Sequence, residues 1–229
     1  MVGNYIKVAS RNIVKRKLYS FINAFGLSIA IAFCTLIYLF VQDEKSFDQF
    51  HENKGQIYQL LTSNFDQDKF EKKTPYPYKS NPYMPGKLGD VVLDELAEVQ
   101  YMTRFNNYNV GVMRYSDKNF TQRFASVDTG FFKMFTFKIL SGDAKKPLRN
   151  ISDAVLTKEV AQKYFGDEDP VGKTFTIDSD GSIASFTVTA IIETPPANSS
   201  ISYEMLVLMD AIPWFVRSRE NWGNSSFPT

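Results

Sequence analysis

The chain has 229 residues, enough for one or two domains, and its 44% hydrophobic and 22% charged content excludes a disordered polymer. A formal net charge of +1 argues against a nucleic-acid binder, which would show a basic face or stripe. The one cysteine, Cys34, excludes an intrachain disulfide framework and a cysteine-based zinc site.

The near-neutral balance hides a polarised N-terminus. Residues 1–17 carry Lys7, Arg11, Lys15, Arg16 and Lys17 and no acid. Ile6, Ala9 and Ile13 fall on one stripe of an amphipathic helix predicted over 3–17, whose cations suit anionic lipid. Residues 18–41, from Leu18 to Val41, then run for 24 positions without a charge. As a helix this is about 36 Å at ~1.5 Å per residue, against a hydrocarbon core of about 30 Å. Thirteen of the 24 are Leu, Ile, Phe or Val. They favour insertion by roughly 4–8 kcal/mol before Ser20, Asn23, Ser28 and Thr35 are counted. Gly26 and Ser28 leave room for a partner helix. The five cations precede the span, and Asp43 and Glu44 follow it. The positive-inside rule therefore predicts a cytoplasmic N-terminus and a bulk that folds outside. Ala30-Ile31-Ala32 also fits signal-peptide cleavage, but nine further apolar residues follow it, so a retained anchor is the expectation.

Beyond the span, residues 43–55 are polar and begin as helix, and 56–62 read as a strand. Four prolines break 63–85 into loop or short edge strand. Leu88, Val91, Val92 and Leu96 give helical spacing over 86–97. Residues 98–128 alternate as strands, with turns expected at Asn106-Asn107 and Ser116-Asp117. Next comes an aromatic cluster of Phe131, Phe132, Met134 and Phe135, in the stretch from Phe131 to Phe137, which reads as core rather than as a ligand surface. Ala154–Thr157 leads into a helix over 158–165 capped by Gly166. Strands at 173–178 and 185–193 flank an Asp180-Gly181 turn, and 203–209 is a last apolar run. The pattern predicts an α+β exterior domain in one or two lobes, 42–128 and 129–229.

Motifs for chemistry fail on spacing. Gly166 to Thr174 (GDEDPVGKT) places five residues between the glycines where a phosphate loop needs four, and it adds three carboxylates and a proline. His51 is the one histidine, with no nucleophile elbow in the chain, and is expected at the surface. Asp178 and Asp180 lack the remaining ligands of a calcium loop. No catalytic residue, cofactor or metal ligand is assigned.

Three stretches carry a resemblance. YIKVASRNIVKRKLYSFINAFGLSIAIAFCTLIYLFVQDEKSFDQFHENKGQIYQL resembles the opening of MacB/FtsX-type ABC transporter permeases. GFFKMFTFKILSGDAKKPL and AVLTKEVAQKYFGDEDPVGKTFTID, followed by FTVTAIIETPPANSS, resemble their periplasmic core domain. That resemblance implies an inner-membrane permease subunit with two periplasmic lobes, called porter and sabre in MacB. It also implies three further membrane helices, so a fragment or truncated product is expected. The implied partners are a cytoplasmic ABC ATPase, a second permease copy or paired permease, and a periplasmic adaptor. The implied action is mechanotransmission of ATP-driven motion, with no catalysis by the permease itself. A bitopic sensor or ligand-binding receptor is the alternative.

Overall fold

A computed structural model describes residues 5, 11, 14–65, 78–81, 83–179, 181–220, 222 and 227–228. The chain divides into two compact units, residues 1–49 and 50–229.

In the first unit, α1 (Lys17–Ser46) is a continuous helix of 30 residues with no buried side chain. It contains the whole charge-free stretch and continues through its acidic exit to Ser46. Ser28 Oγ donates to the Ala24 carbonyl at 2.7 Å, and Thr35 Oγ1 donates to the Ile31 carbonyl at 2.9 Å. These bonds satisfy the hydroxyls inside the helix, which lowers the polar cost of the span. Most of the amphipathic segment expected over 3–17, including Ile6, Ala9 and Ile13, lies outside the described residues.

The second unit begins with a short ladder of β1 (Thr62–Phe65) and β2 (Tyr78–Asn81), then β3 (Tyr83–Met84) and the helix α2 (Leu88–Glu95). The strand expected at 56–62 starts only at Thr62; residues 57–61 have no regular structure.

The body of this unit is one mixed sheet. Its strands are β4 (Phe105–Tyr115), β5 (Lys118–Val127), β6 (Ile139–Gly142), β7 (Asp153–Thr157), β8 (Thr174–Ser179), β9 (Ser182–Ile192) and β10 (Met205–Leu208). They run in the order β6-β9-β7-β10-β5-β4-β8, and β8 pairs in addition with β9. The ladders therefore close on themselves through β9, β7, β10, β5, β4 and β8, with β6 added to β9. Most pairs are antiparallel; β7 with β9 and β10 with β5 are parallel. Strands on both sides of the expected 128/129 lobe division share this sheet, because β10 registers Leu206, Val207 and Leu208 against Ala125, Ser126 and Val127 of β5.

Side-chain alternation splits the core into two clusters. Ala154, Leu156, Met205 and Val207 join Met113, Phe124, Phe175, Ile177 and Phe186 in one. Val155, Leu206 and Leu208 join Ala125, Val127, Ala190 and Ile192 in the other. Successive strand residues point to opposite faces, so β7 and β10, which fill both clusters, are buried throughout. The first cluster is covered by α4 (Lys158–Phe165), whose Val160, Ala161, Tyr164 and Phe165 face inward. Thr157 Oγ1 caps it by accepting from Val160 N–H at 3.4 Å. Gly166 ends it at φ 62° and ψ −124°, a conformation open essentially to glycine alone. The second cluster is covered by the expected aromatic group: Phe131, in α3 (Phe131–Met134), is fully buried, and Phe132, Phe135 and Phe137 pack beside it.

Of the two turns expected in 98–128, one forms. Ser116, at φ 53°, and Asp117 make the two-residue connection between Tyr115 and Lys118. Asn106-Asn107 instead sits inside β4, where the register slips between Asn106 and Asn109. Asn106 Oδ1 accepts from Tyr108 N–H at 3.0 Å, and Asn109 Nδ2 donates to Ser126 Oγ at 3.2 Å. The local side-chain bonding that usually makes an Asn-rich turn here supports a β-bulge.

Candidate functional site

Three features stand out: the exposed apolar helix, a clasp at the start of the second unit, and an ion-pair chain beneath α2.

Leu18 and Val41, the expected span ends, are 74% and 40% exposed on α1. Arg11, Lys15, Arg16 and Lys17 are exposed, and Lys7 lies outside the described residues. The charge order runs against the helix dipole. The first turn of α1 has no acid and follows a run of cations, whereas Asp43 and Glu44 sit near its C-terminus, offset there only by Lys45. Each misplaced charge costs a helix roughly 0.3–1 kcal/mol. Helix stability alone does not account for this pattern.

The clasp corrects the expectation for His51, which is 3% exposed rather than at the surface. Its ring lies 4.1 Å from Phe50 and 5.1 Å from both Phe135 and Phe137. Nδ1 accepts from the backbone N–H of Thr136 at 3.1 Å. Glu52 N–H donates to Thr136 Oγ1 at 3.1 Å, and Asn53 Nδ2 donates to the Lys133 carbonyl at 3.3 Å. Residues 51–53 are thereby fastened to the aromatic segment after α3. The polar neighbours of His51 in sequence concealed this, because apart from Phe50 these partners are more than eighty positions away.

The ion-pair chain was also missed. Arg104, immediately before β4, is 3% exposed. Its Nε donates to Asp128 Oδ2 at 2.9 Å and its NH2 to Asp128 Oδ1 at 2.7 Å, a two-pronged pairing; NH1 donates to the Gly86 carbonyl at 2.5 Å. Its NH2 also stands 3.5 Å from Asp90 Oδ1 of α2. Asp90 in turn accepts from Arg219 Nε at 3.0 Å and NH2 at 3.1 Å, and Arg219 NH1 reaches Asp210 at 3.2 Å. The Asp90 hydrogen bonds raise Arg219 above the ordinary guanidinium range, so it stays cationic. Phe215, on α5 (Pro213–Ser218), is fully buried, with Arg104 Cζ 4.7 Å and Arg219 Cζ 6.0 Å from its ring centre. The alternating series Asp128, Arg104, Asp90, Arg219, Asp210 ties α2 to one end of the sheet, where β5 and β10 finish and β4 begins, and to the residue that follows α5. The signal for it in sequence was Arg104 itself, a lone cation beside Met102 and Phe105 that must bring a carboxylate if buried.

The failed motifs are structural. Asp169 Oδ1 accepts from Val171 N–H at 3.0 Å, Gly172 N–H donates to the Val188 carbonyl at 2.7 Å, and Lys173 pairs with Glu168. These contacts make the Gly166–Lys173 segment a connection between α4 and β8. Among the described residues no group of three or more His, Cys, Asp or Glu side chains is placed to hold a metal.

The model of the MacB-like periplasmic core domain matches residues 20–225. The chain belongs to that family. MacB-like chains are components of transporter permeases, and the exposed apolar helix fits a membrane-anchored member. A domain of a protein described as a permease from Porphyromonas gingivalis is similar at 24% identity, with a TM-score of 0.56, over 66% of this chain and 62% of that one. That likeness supports the fold, and this chain spans less than two thirds of its length. The periplasmic region of MacB from Actinobacillus actinomycetemcomitans aligns at 16% identity over 61% of this chain and 60% of that one, with a TM-score of 0.41. The extracellular domain of the noncanonic ABC-type transporter YknZ from Gram-positive bacteria aligns at 16% over 64% and 77%, with a TM-score of 0.40. Comparison with curated proteins gives no match.

Proposed function

We propose that this MacB-like chain serves in the permease subunit of an ABC transporter, relaying the ATP-driven motion of a cytoplasmic ATPase to a domain outside the cytoplasm. The observation that carries the reading is the conjunction of the family match with an unburied helix whose charge-free stretch, residues 18–41, follows a cluster of five cations. In this reading Leu18 and Val41 bound the inner-membrane span, and Lys7, Arg11, Lys15, Arg16 and Lys17 stay on the cytoplasmic side near the ATPase. A second permease copy packs against the span, and the exterior domain meets a periplasmic adaptor or the exported substrate. The clasp and the ion-pair chain suit a mechanical part, since both join distant segments by directional bonds.

Two measurements test this. Tagged protein purified in mild detergent brings down an ABC ATPase, and a protease added to the cytoplasmic side of sealed inverted vesicles leaves residues beyond Ser46 intact. Purification without any ATPase removes the transporter reading, and digestion of the domain in those vesicles removes the topology.

A further inference from the structure

A cleft beside the ion-pair chain lies on the second unit, between the Gln100–Met102 segment, the start of α3 and the loop that follows β6. We propose that it binds a single-chain anionic amphiphile, a molecule with one acyl tail and a phosphate or carboxylate headgroup. The inference needs only the domain's own surface and does not depend on the transport reading.

The cleft encloses about 930 Å³, within the roughly 300–1,000 Å³ of small-molecule sites. Its wall is built by close packing: a Cβ on Gly130 would lie 2.3 Å from the Met102 carbonyl oxygen, so glycine lets the two segments meet. Leu93, Met102, Phe132 and Leu148 give the cleft an apolar surface, and Leu148 is itself buried in the aromatic-covered core cluster.

The charge is one-sided. Lys133, Lys145, Lys146 and Arg149 line the cleft, with Asp143 as the sole acid. That acid is already committed. Its Oδ1 accepts from the backbone N–H groups of Lys145 and Lys146 at 2.9 and 3.0 Å, and its Oδ2 pairs with Arg149. The loop carrying the two lysines is thus held in shape, while among the described residues Lys145 and Lys146 have no carboxylate within ion-pair distance. Lys133 Nζ rests 4.9 Å over the ring of Tyr101, and among the described residues no carboxylate lies within ion-pair distance of it. Three uncompensated ammonium groups beside an apolar wall select an anion that carries a hydrocarbon tail. A small hydrophilic anion would leave the wall wet, and a neutral tail would leave the lysines unmatched.

The test uses the full chain in phosphatidylcholine nanodiscs and dodecyl phosphate bearing a diazirine at the tail end, with the crosslinked peptide mapped by mass spectrometry. Label should fall on peptides containing Leu93–Met102 or Thr129–Arg149. It should drop about tenfold in the K133Q/K145Q/K146Q variant, the scale of three partly exposed ion pairs. It should persist in K133R/K145R/K146R, with the thermal midpoint unchanged in both. Dodecanol and inorganic phosphate should fail to compete at the concentration where unlabelled dodecyl phosphate does. Label confined to α1, equal label in the Gln variant, or competition by either half-molecule would overturn the proposal. Displacement of the probe by a short glutamate-rich peptide at lower concentration than dodecyl phosphate would also overturn it, in favour of a protein partner.

Discussion

The helix α1 and the strand β10 are both strongly apolar, yet their surroundings are opposite. Met205, Leu206 and Val207 are fully buried, whereas Phe21, Leu27, Ile31, Phe33 and Leu36 on α1 are each more than half exposed. The strand meets its solvent requirement inside the protein: β5 and β7 flank it and both faces are covered. The helix meets its requirement only in a medium the chain does not supply. Burial pattern, rather than hydrophobicity alone, separates a core element from a membrane element.

If this distinction is right, damage to one region should leave the other intact. The largest effect is expected from I29R/I31R at the middle of the span. Each exchange shifts insertion by about 3–4 kcal/mol, so alkaline extraction should release the protein from membranes while the circular dichroism of its sheet is retained. Next comes Arg104→Ala, which leaves the Asp128 carboxylate without its two-pronged partner. It should cost about 3–5 kcal/mol in urea unfolding, with membrane retention unchanged. Leu206→Ala opens a cavity between the sheet and the aromatic segment and should cost about 2–5 kcal/mol by the same measurement.

The smallest effect is a pH dependence. Burial, and secondarily Glu204, pushes the Tyr164 hydroxyl from 10.0 up to about 12. The folded state therefore holds this proton where the unfolded state releases it. The associated stability is intact below pH 10 and falls as pH rises toward 12, by up to about 2–3 kcal/mol. Tyr164→Phe should flatten that part of the alkaline decline, while losing about 1 kcal/mol at neutral pH with the 3.2 Å hydrogen bond to the Phe120 carbonyl. Burial also raises Tyr203, whose decline should remain.

Much of the fold was legible because its signals are local. The charge-free run gave α1, Thr157 and Gly166 bracketed α4, and the Ser116-Asp117 turn set the β4–β5 hairpin. What stayed hidden depends on distant partners. His51 looks solvent-exposed until Phe135 and Phe137 surround it, and Arg104 acquires meaning only beside Asp128 and Asp90. Asn106-Asn107 misled because one chemistry, an Asx side chain bonding its own backbone, serves both a turn and a bulge. The order of the seven strands and the closure of β8 onto β9 have no local signature at all.

That closure also bears on behaviour at high concentration. Among the described residues, the strand that ends the large sheet's order without a second neighbour is β6, which spans four residues from Ile139 to Gly142. So short a template gives an incoming chain little to zip onto, which should keep copies crowded on one membrane from stitching together through their backbones.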